Sequence, residues 1–197
     1  MKHWDEQRDS EKYVYGNDPN DFLREKLRQL KSGDALSLGE GEGQNAVFLS
    51  KGGFSVHCVD NSLATRKKAM ALAKSKNVHI TYELKEYDEL DLSGEKFDTI
   101  LLIWCQMPSD LRKVVHQKCV DALIPGGVLL LEAYGKGQLG KDSGGPDDAD
   151  MLYAKDDLLE DFGALEIVSC DEKERYLGDG PARMGLSSVV QLLAKNI

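Results

Sequence analysis

The sequence predicts an α/β protein, a doubly wound, mostly parallel sheet of seven strands, and three observations carry that expectation. From Ala35 onward short apolar runs alternate with longer amphipathic stretches, the pattern of βαβ units with helices on both faces of a sheet. Two of the runs, TILLIW and VLLLEA, lack polar alternation and read as central strands buried on both faces. A glycine-rich turn separates the first strand from the helix that follows it. A chain of 197 residues suits a single domain over 1–197, with residues 1–34 preceding the sheet and 35–197 forming its core.

Taken in order, the strands are expected at Ala35–Leu38, Phe54–Val59, Val78–Tyr82, Thr99–Trp104, Val128–Ala133, Leu165–Ser169 and Ser188–Ala194. Helices are expected at Asp21–Leu30, Asn45–Lys51, Leu63–Lys74, Asp110–Leu123 and Lys155–Phe162. Ser62 and Ser109 read as N-caps, because their hydroxyls can accept from the free first-turn N–H groups, and Gly52 closes the second helix. Pro125-Gly126-Gly127 breaks a helix and feeds the next strand. The glycine-rich segment from Gly135 to Asp150 leaves the carboxyl end of a buried strand, where doubly wound sheets open onto their ligand crevice, and reads as a lid.

Composition narrows the function. With 25 Lys+Arg against 34 Asp+Glu the formal net charge is −9, which opposes a phosphate backbone, so no nucleic-acid partner is expected. No apolar run approaches a membrane span, and the polar start MKHWDEQRDSEKYVYG lacks the apolar core of a secretory signal, so no membrane partner and a cytoplasmic location are expected. Cys58, Cys105, Cys119 and Cys170 are far apart in sequence and form no metal-binding spacing, so no metal site is expected. Nothing in the sequence fixes the oligomeric state.

The most informative stretch is ALSLGEGEGQNAVFLSKGGFSVHCVDNS. Here a strand runs into Gly39-x-Gly41-x-Gly43 and then into a helix beginning near Asn45. Glycines allow a sharp turn and close approach of backbone N–H groups to a ligand, and a helix N-terminus favours an anion. The second strand ends in Asp60, 21 positions after Gly39, the distance at which an acid accepts hydrogen bonds from ribose hydroxyls. Together they argue for a nucleoside-containing cofactor. A nicotinamide-dependent oxidoreductase would share the turn and the acid, but its third glycine position is occupied here by Gln44.

Gly39-Glu40-Gly41-Glu42-Gly43 with Asp60 resembles the cofactor motif of class I S-adenosylmethionine (SAM) methyltransferases. The strings LSLGEGEGQNAVFLS, YVYGNDPNDFL, PSDLRKVVHQKCVDALIPGGVLLLEAY and GLSSVVQLLA resemble the tellurite-resistance and thiol methyltransferase group, over about Tyr13 to Ala194. The resemblance implies a Rossmann-like class I methyltransferase fold, SAM as cofactor and S-adenosylhomocysteine (SAH) as product. It further implies that Gly39, Gly41 and Gly43 cradle the methionine portion, that Asp60 holds the ribose with Asn61 also among the cofactor contacts, and that Glu83-Leu84 contact adenine, with Glu86 and Asp88 as rivals to Glu83. Glu40 and Asn45 complete the expected cofactor contacts. Ser37 stands where many such enzymes carry an acid, which shifts the methionine-ammonium contact toward Glu40 or water. Segments like 1–34 fold over the cofactor in related enzymes, so Tyr13 and Tyr15 are expected on a helical lid.

Methyl transfer from a sulfonium needs orientation and exclusion of water more than a catalytic triad. The fourth strand runs into Trp104-Cys105-Gln106-Met107-Pro108 at the carboxyl edge, which places Trp104 and Cys105 beside the cofactor and Gln106 on the acceptor side. Tyr134, at the end of the fifth strand, joins Tyr13, Tyr15 and Gln106 as an acceptor-side candidate. WCQMP lacks the motif of adenine and cytosine amino-methyltransferases, and Cys105 reads as an inert buried thiol rather than a nucleophile. No histidine stands in a recognisable catalytic pair, so no general base is nominated and the catalytic residues stay unknown. Arg183 occupies a position that commonly carries His in the resembling family; it cannot take a proton but can hold an anion. The expected function is methylation of a small-molecule acceptor, a thiol or a tellurium or selenium oxyanion by resemblance. A nicotinamide oxidoreductase and a non-catalytic SAM-binding domain are the alternatives.

Overall fold

The computed structural model describes residues 13–178 and 180–197. Its strands are β1 (Asp34–Leu38), β2 (Ser55–Asp60), β3 (Thr81–Leu84), β4 (Phe97–Ile103), β5 (Leu123–Tyr134), β6 (Glu166–Gly178) and β7 (Met184–Lys195). Its α-helices are α1 (Asp21–Lys26), α2 (Gln44–Lys51), α3 (Leu63–Ser75), α4 (Ser109–Ala122) and α5 (Lys155–Asp161). The strands form one sheet in the order β3-β2-β1-β4-β5-β7-β6. The first five run parallel, and β7 lies antiparallel to both β5 and β6. This is the doubly wound, seven-stranded, mostly parallel α/β sheet read from the sequence, with β4 and β5 in its middle.

Alternation along the central strands explains their unbroken apolar runs. Ile100 and Leu102 of β4 join Leu129 and Leu131 of β5 in a core with α4 and α5. Leu101 and Ile103, with Val128 and Leu130, face the opposite core with α1, α2 and α3. Each face is covered by helices, so a polar residue at either parity would be desolvated without a partner. Ser62 caps α3 through its hydroxyl, which accepts from Thr65 N at 3.4 Å.

The boundaries differ from expectation in physically understandable places. The helix expected over 21–30 tightens to a 3₁₀ turn at Leu27–Gln29, and Ser109 is the first residue of α4, with Pro108 as its N-cap. The third strand begins at Thr81, because Val78 closes the end of α3 with an N–H bond to Ala73. The largest difference is β6, which runs to Gly178 where it was expected to stop at Ser169. The run 171–174 is polar at both parities, because this stretch is at the sheet edge and exposed on both sides. Its partner β7 begins at Met184, four residues earlier than expected.

The segment 135–150 packs onto the start of β7. Gln138, almost fully buried, donates Nε2 to Ser143 Oγ at 2.9 Å and to Gly144 O at 2.7 Å, and accepts from Ser188 N at 2.9 Å. Behind the carboxyl edge a buried polar group ties α4 to α5. Asp161 Oδ2 accepts from Arg112 Nε at 2.9 Å and lies 2.8 Å from His116 Nδ1. Burial alone would raise the Asp161 carboxyl, yet His116 and Arg112 together hold it below its ordinary value. Burial pushes His116 below its ordinary value, so the ring is neutral near pH 7.

Asp161→Ala leaves the buried Arg112 with only the half-exposed Asp157 carboxylate at 3.5 Å and is expected to cost about 3 kcal/mol in urea unfolding. A histidine depressed in the folded state binds its proton more readily when unfolded. Its contribution is therefore complete above the unfolded value near 6.5 and declines as the pH falls below it. Replacement by phenylalanine should flatten the pH dependence of the melting temperature below about pH 6.5; an unchanged slope would show that His116 does not set it.

Candidate active site

The carboxyl ends of β1, β2 and β4 meet around the glycine turn. Gly39, Gly41 and Gly43 have φ of 67°, 66° and 95°, a left-handed backbone that side chains rarely adopt. Each glycine has a different neighbour. A Cβ on Gly39 would lie 2.9 Å from Cys105 Cβ, and one on Gly43 would lie 2.7 Å from Ala69 Cα of α3. A Cβ on Gly41 would meet no atom within 4 Å. The outer two glycines therefore pack the turn against β4 and α3, and the middle one presents bare backbone to open space. Helix packing, assigned by dinucleotide folds to the position of Gln44, is done here by Gly43.

Asp60 ends β2 against this turn. Its Oδ2 accepts from Gly41 N at 3.0 Å, and its Oδ1 accepts from Ser62 N at 3.0 Å. Glu40 is 3% exposed, with Ser37 Oγ at 2.5 Å and Ala46 N donating at 2.9 Å. Burial pushes its carboxyl up to about 7, against the lowering effect of its hydrogen bonds to Ala46, Ser37 and Asn45. Ser37 and Glu40 thus form one unit, the carboxyl held by the serine hydroxyl.

Two expected contacts are placed differently. Glu83 lies within β3, and strand alternation turns it away from Tyr82, whose hydroxyl donates to Gly41 O at 2.9 Å. Glu83 instead meets Lys85 Nζ at 2.8 Å and His57 Nε2 at 3.5 Å, and the Lys85 hydrogen bond leads the effects that lower its carboxyl. Its rival Glu86 accepts through Oε2 from Asn61 Nδ2 at 2.9 Å. The neighbouring Tyr87 hydrogen-bonds the Cys105 thiol. Leu84 is in register with Asp60 and partly exposed. Asn45 is buried, with its Oδ1 taken by Asn20 N at 2.9 Å.

Past β4 the chain enters an unusual conformation at Trp104, φ 58°, while Trp104 N donates to Glu132 O at 2.8 Å. A bulky residue at positive φ is held there by its surroundings. Its ring tilts against Tyr134 with centroids 4.7 Å apart, and the Arg183 guanidinium lies over it at 4.9 Å and over Tyr15 at 4.2 Å. Tyr15, Arg183, Trp104 and Tyr134 therefore form one stack drawn from the N-terminal segment, the β6–β7 hairpin, β4 and β5. Tyr15 N donates to Glu42 Oε2 at 3.0 Å, and Tyr13 Oη to Lys68 O at 3.0 Å, fastening that segment to the turn and α3.

Gln106 does not join the stack. Its Nε2 donates to Met151 O at 2.7 Å and its Oε1 accepts from Tyr134 N at 3.3 Å, so it braces the loop after β5. Cys105 is buried, and desolvation pushes its thiol up to about 12, as expected of an inert cysteine. Sequence reasoning missed Tyr153, a fully buried side chain whose hydroxyl donates to Cys105 O and accepts from Met107 N, both at 3.0 Å. It also missed Glu132, buried in β5 and bonded by Asn20 Nδ2 and Gln191 Nε2. The signal for Glu132 was a single charge inside an otherwise apolar strand.

Residues 35–127 match the family model of a methyltransferase domain. None of the curated proteins matches it in sequence. Among solved structures, TehB from Haemophilus influenzae superposes with a TM-score of 0.74 at 17% identity, covering 90% of this chain, which spans 62% of that one. A SAM-dependent methyltransferase from Clostridium acetobutylicum ATCC 824 gives a TM-score of 0.68 at 18% identity, covering 89% of each chain. The N-methyltransferase NodS from Bradyrhizobium japonicum WM9, in complex with SAH, gives 0.65 at 14%, covering 89% of this chain and 84% of that one. The fold is that of the class I SAM-dependent methyltransferases, and SAM is the cofactor of that class. Gly41 and Asp60 suit such a group: bare backbone faces open space beside a carboxylate.

Two measurements check this geometry. Gly43→Ala should lose roughly 2 kcal/mol or more of stability because Ala69 cannot yield, whereas Gly41→Ala should cost only about 1 kcal/mol in denaturant yet remove SAH affinity. Glu40 binds its proton more tightly when folded, so its stabilising effect is greatest at low pH and fades between about pH 4.5 and 7. Melting curves of Glu40→Gln should therefore gain on wild type across that window, by on the order of 2–3 kcal/mol; a constant difference would contradict the raised value.

Proposed function

We propose that this SAM-dependent methyltransferase domain methylates a small, soft nucleophile, a thiol or a tellurium or selenium oxyanion, in the cytoplasm. The observation that carries the reading is the pairing of Gly41 with Asp60 at the carboxyl edge, followed directly by the aromatic stack on the β4–β5 side. The turn at Gly39–Gly43 and Asp60 bind the nucleoside and its amino-acid chain, with Asn61, Leu84 and Glu86 bordering the adenine side. The acceptor approaches at Trp104 and Tyr134, under Tyr15 and Arg183.

Bound SAM supplies an already activated methyl group; the chain's own work is to orient, desolvate and enclose. Arg183, held face-on between Tyr15 and Trp104, offers in-plane N–H donors to an anionic acceptor. No acid–base pair is required for a nucleophile that is ionised or easily ionised near neutral pH. Among the described residues His116 is the one histidine bonded to a carboxylate inside the core, and it packs behind the site against Phe162 and Tyr153. A small-molecule acceptor also fits the charge of −9, which disfavours a nucleic-acid substrate. Four buried free cysteines suit a reducing compartment. Among the described residues no helix is long and apolar enough to cross a membrane.

Calorimetric titration with SAH and, in parallel, NADH tests the cofactor assignment. SAH alone should bind, and Asp60→Ala should weaken it by about 10–100-fold, the worth of a charge-assisted pair of hydrogen bonds. Methyl transfer from labelled SAM to thiols and tellurite, with no label on hydroxyl or amine acceptors, is the accompanying result; labelling confined to hydroxyls or amines would reject the soft-nucleophile reading.

A further inference from the structure

Two side chains beside the aromatic stack hold buried donors that make no hydrogen bond within the fold. Arg175 of β6 is paired with Ser187 of β7, and Val189, two residues on, is paired with Tyr134 of β5. Arg175 therefore shares a face with Leu177, which packs with Tyr134, Leu152 and Trp104. Its side chain is 15% exposed and crosses β7 to place Nε 3.3 Å from Glu132 Oε1. Nε and Nη2, the two nitrogens of one guanidinium fork, are both buried and make no hydrogen bond. Trp104 Nε1 is likewise buried without an acceptor.

Glu132 pairs with Arg175 by charge but makes no hydrogen bond to its fork, and its two oxygens accept from Asn20 Nδ2 and Gln191 Nε2. A buried donor without an acceptor costs about 1–3 kcal/mol, so folded chains keep such groups where a ligand or water meets them. Charge agrees. Arg175 and Glu132 cancel, and Arg183 has no carboxylate within ion-pair distance among the described residues, so this wall carries net positive charge in an acidic chain. Unfilled donors together with positive charge select an anion.

We propose that the acceptor carries an anionic oxygen group, a carboxylate or a chalcogen oxyanion, which docks on the buried Arg175 fork, making Arg175 a specificity-determining residue of the acceptor site. This rests on the methyl-transfer reading and narrows its substrate class. The bidentate geometry of the fork sets the requirement: lysine keeps the charge and loses the pair of parallel N–H donors.

Mercaptoacetate and 2-mercaptoethanol are thiols of similar size that differ in a carboxylate, and each is titrated into the SAH complex of the full chain. Wild type should bind mercaptoacetate about tenfold or more tighter. Arg175→Gln should abolish that preference and Arg175→Lys should retain part of it, with SAH affinity unchanged in both. Equal affinity for the two thiols in wild type, or a preference that survives Arg175→Gln, overturns the proposal. Should Arg175→Gln fail to fold, Arg175→Lys decides: a several-fold loss for mercaptoacetate alone supports it, and unchanged affinity overturns it. Failure of the methyl-transfer reading looks different, as thiol selectivity with no SAH formed from SAM.

Discussion

The carboxyl edge of this sheet depends on a left-handed backbone at three alternate glycines. Gly39 brings the turn within contact of Cys105, and Gly43 brings α2 within contact of α3. Gly41, between them, is left with its amide on Asp60 and nothing over its Cα. A side chain at either outer position would push the turn off β4 or α3, and Asp60 would lose the amide it is aligned with. The proposed nucleoside side of the site is therefore shaped by sterics before any ligand contact is made.

The proposed acceptor side is held by polar bonds between segments distant in sequence. Asn20 accepts from Leu23 N to cap α1, donates to Glu132 in β5 and gives its backbone N–H to Asn45 of α2. Glu42 receives both Tyr15 N and Lys68 Nζ. These buried carboxylates are acceptors surrounded by donors, so each fastens the N-terminal segment across the glycine turn at little desolvation cost. Tyr15 is carried with that segment onto Arg183, which completes the wall over Trp104. Tyr153 does the same from the other core, clamping the chain between Cys105 and Met107.

Much of this was legible in the sequence, for reasons that differ by element. The parallel core announced itself because strands buried on both faces must be continuously apolar, as in TILLIW and VLLLEA. The glycine turn and Asp60 were legible because their chemistry is local in sequence and spaced by one βα unit. Glu83 was hard to place because the acidic loop offers three acids, and only strand register with β2 shows that it is one residue inside the strand, facing His57 and Lys85. The extent of β6 was hidden because a strand exposed on both sides at a sheet edge has no hydrophobic period. Gln106 was placed with the acceptor by chain position, but its amide finds closer partners in Met151 and Tyr134. Arg175 and Glu132 carried no motif at all; they meet only when β7 folds between them.

The central claim is that the glycine turn and Asp60 form the nucleoside site of a methyltransferase. A crystal structure of the SAH complex tests it most directly. The account predicts ribose hydroxyls on Asp60, the amino-acid chain along the backbone at Gly41, and the sulfur directed toward Trp104 and Tyr134. SAH bound elsewhere, or at this edge with Asp60 still turned to the Gly41 amide and no ribose contact, would contradict it.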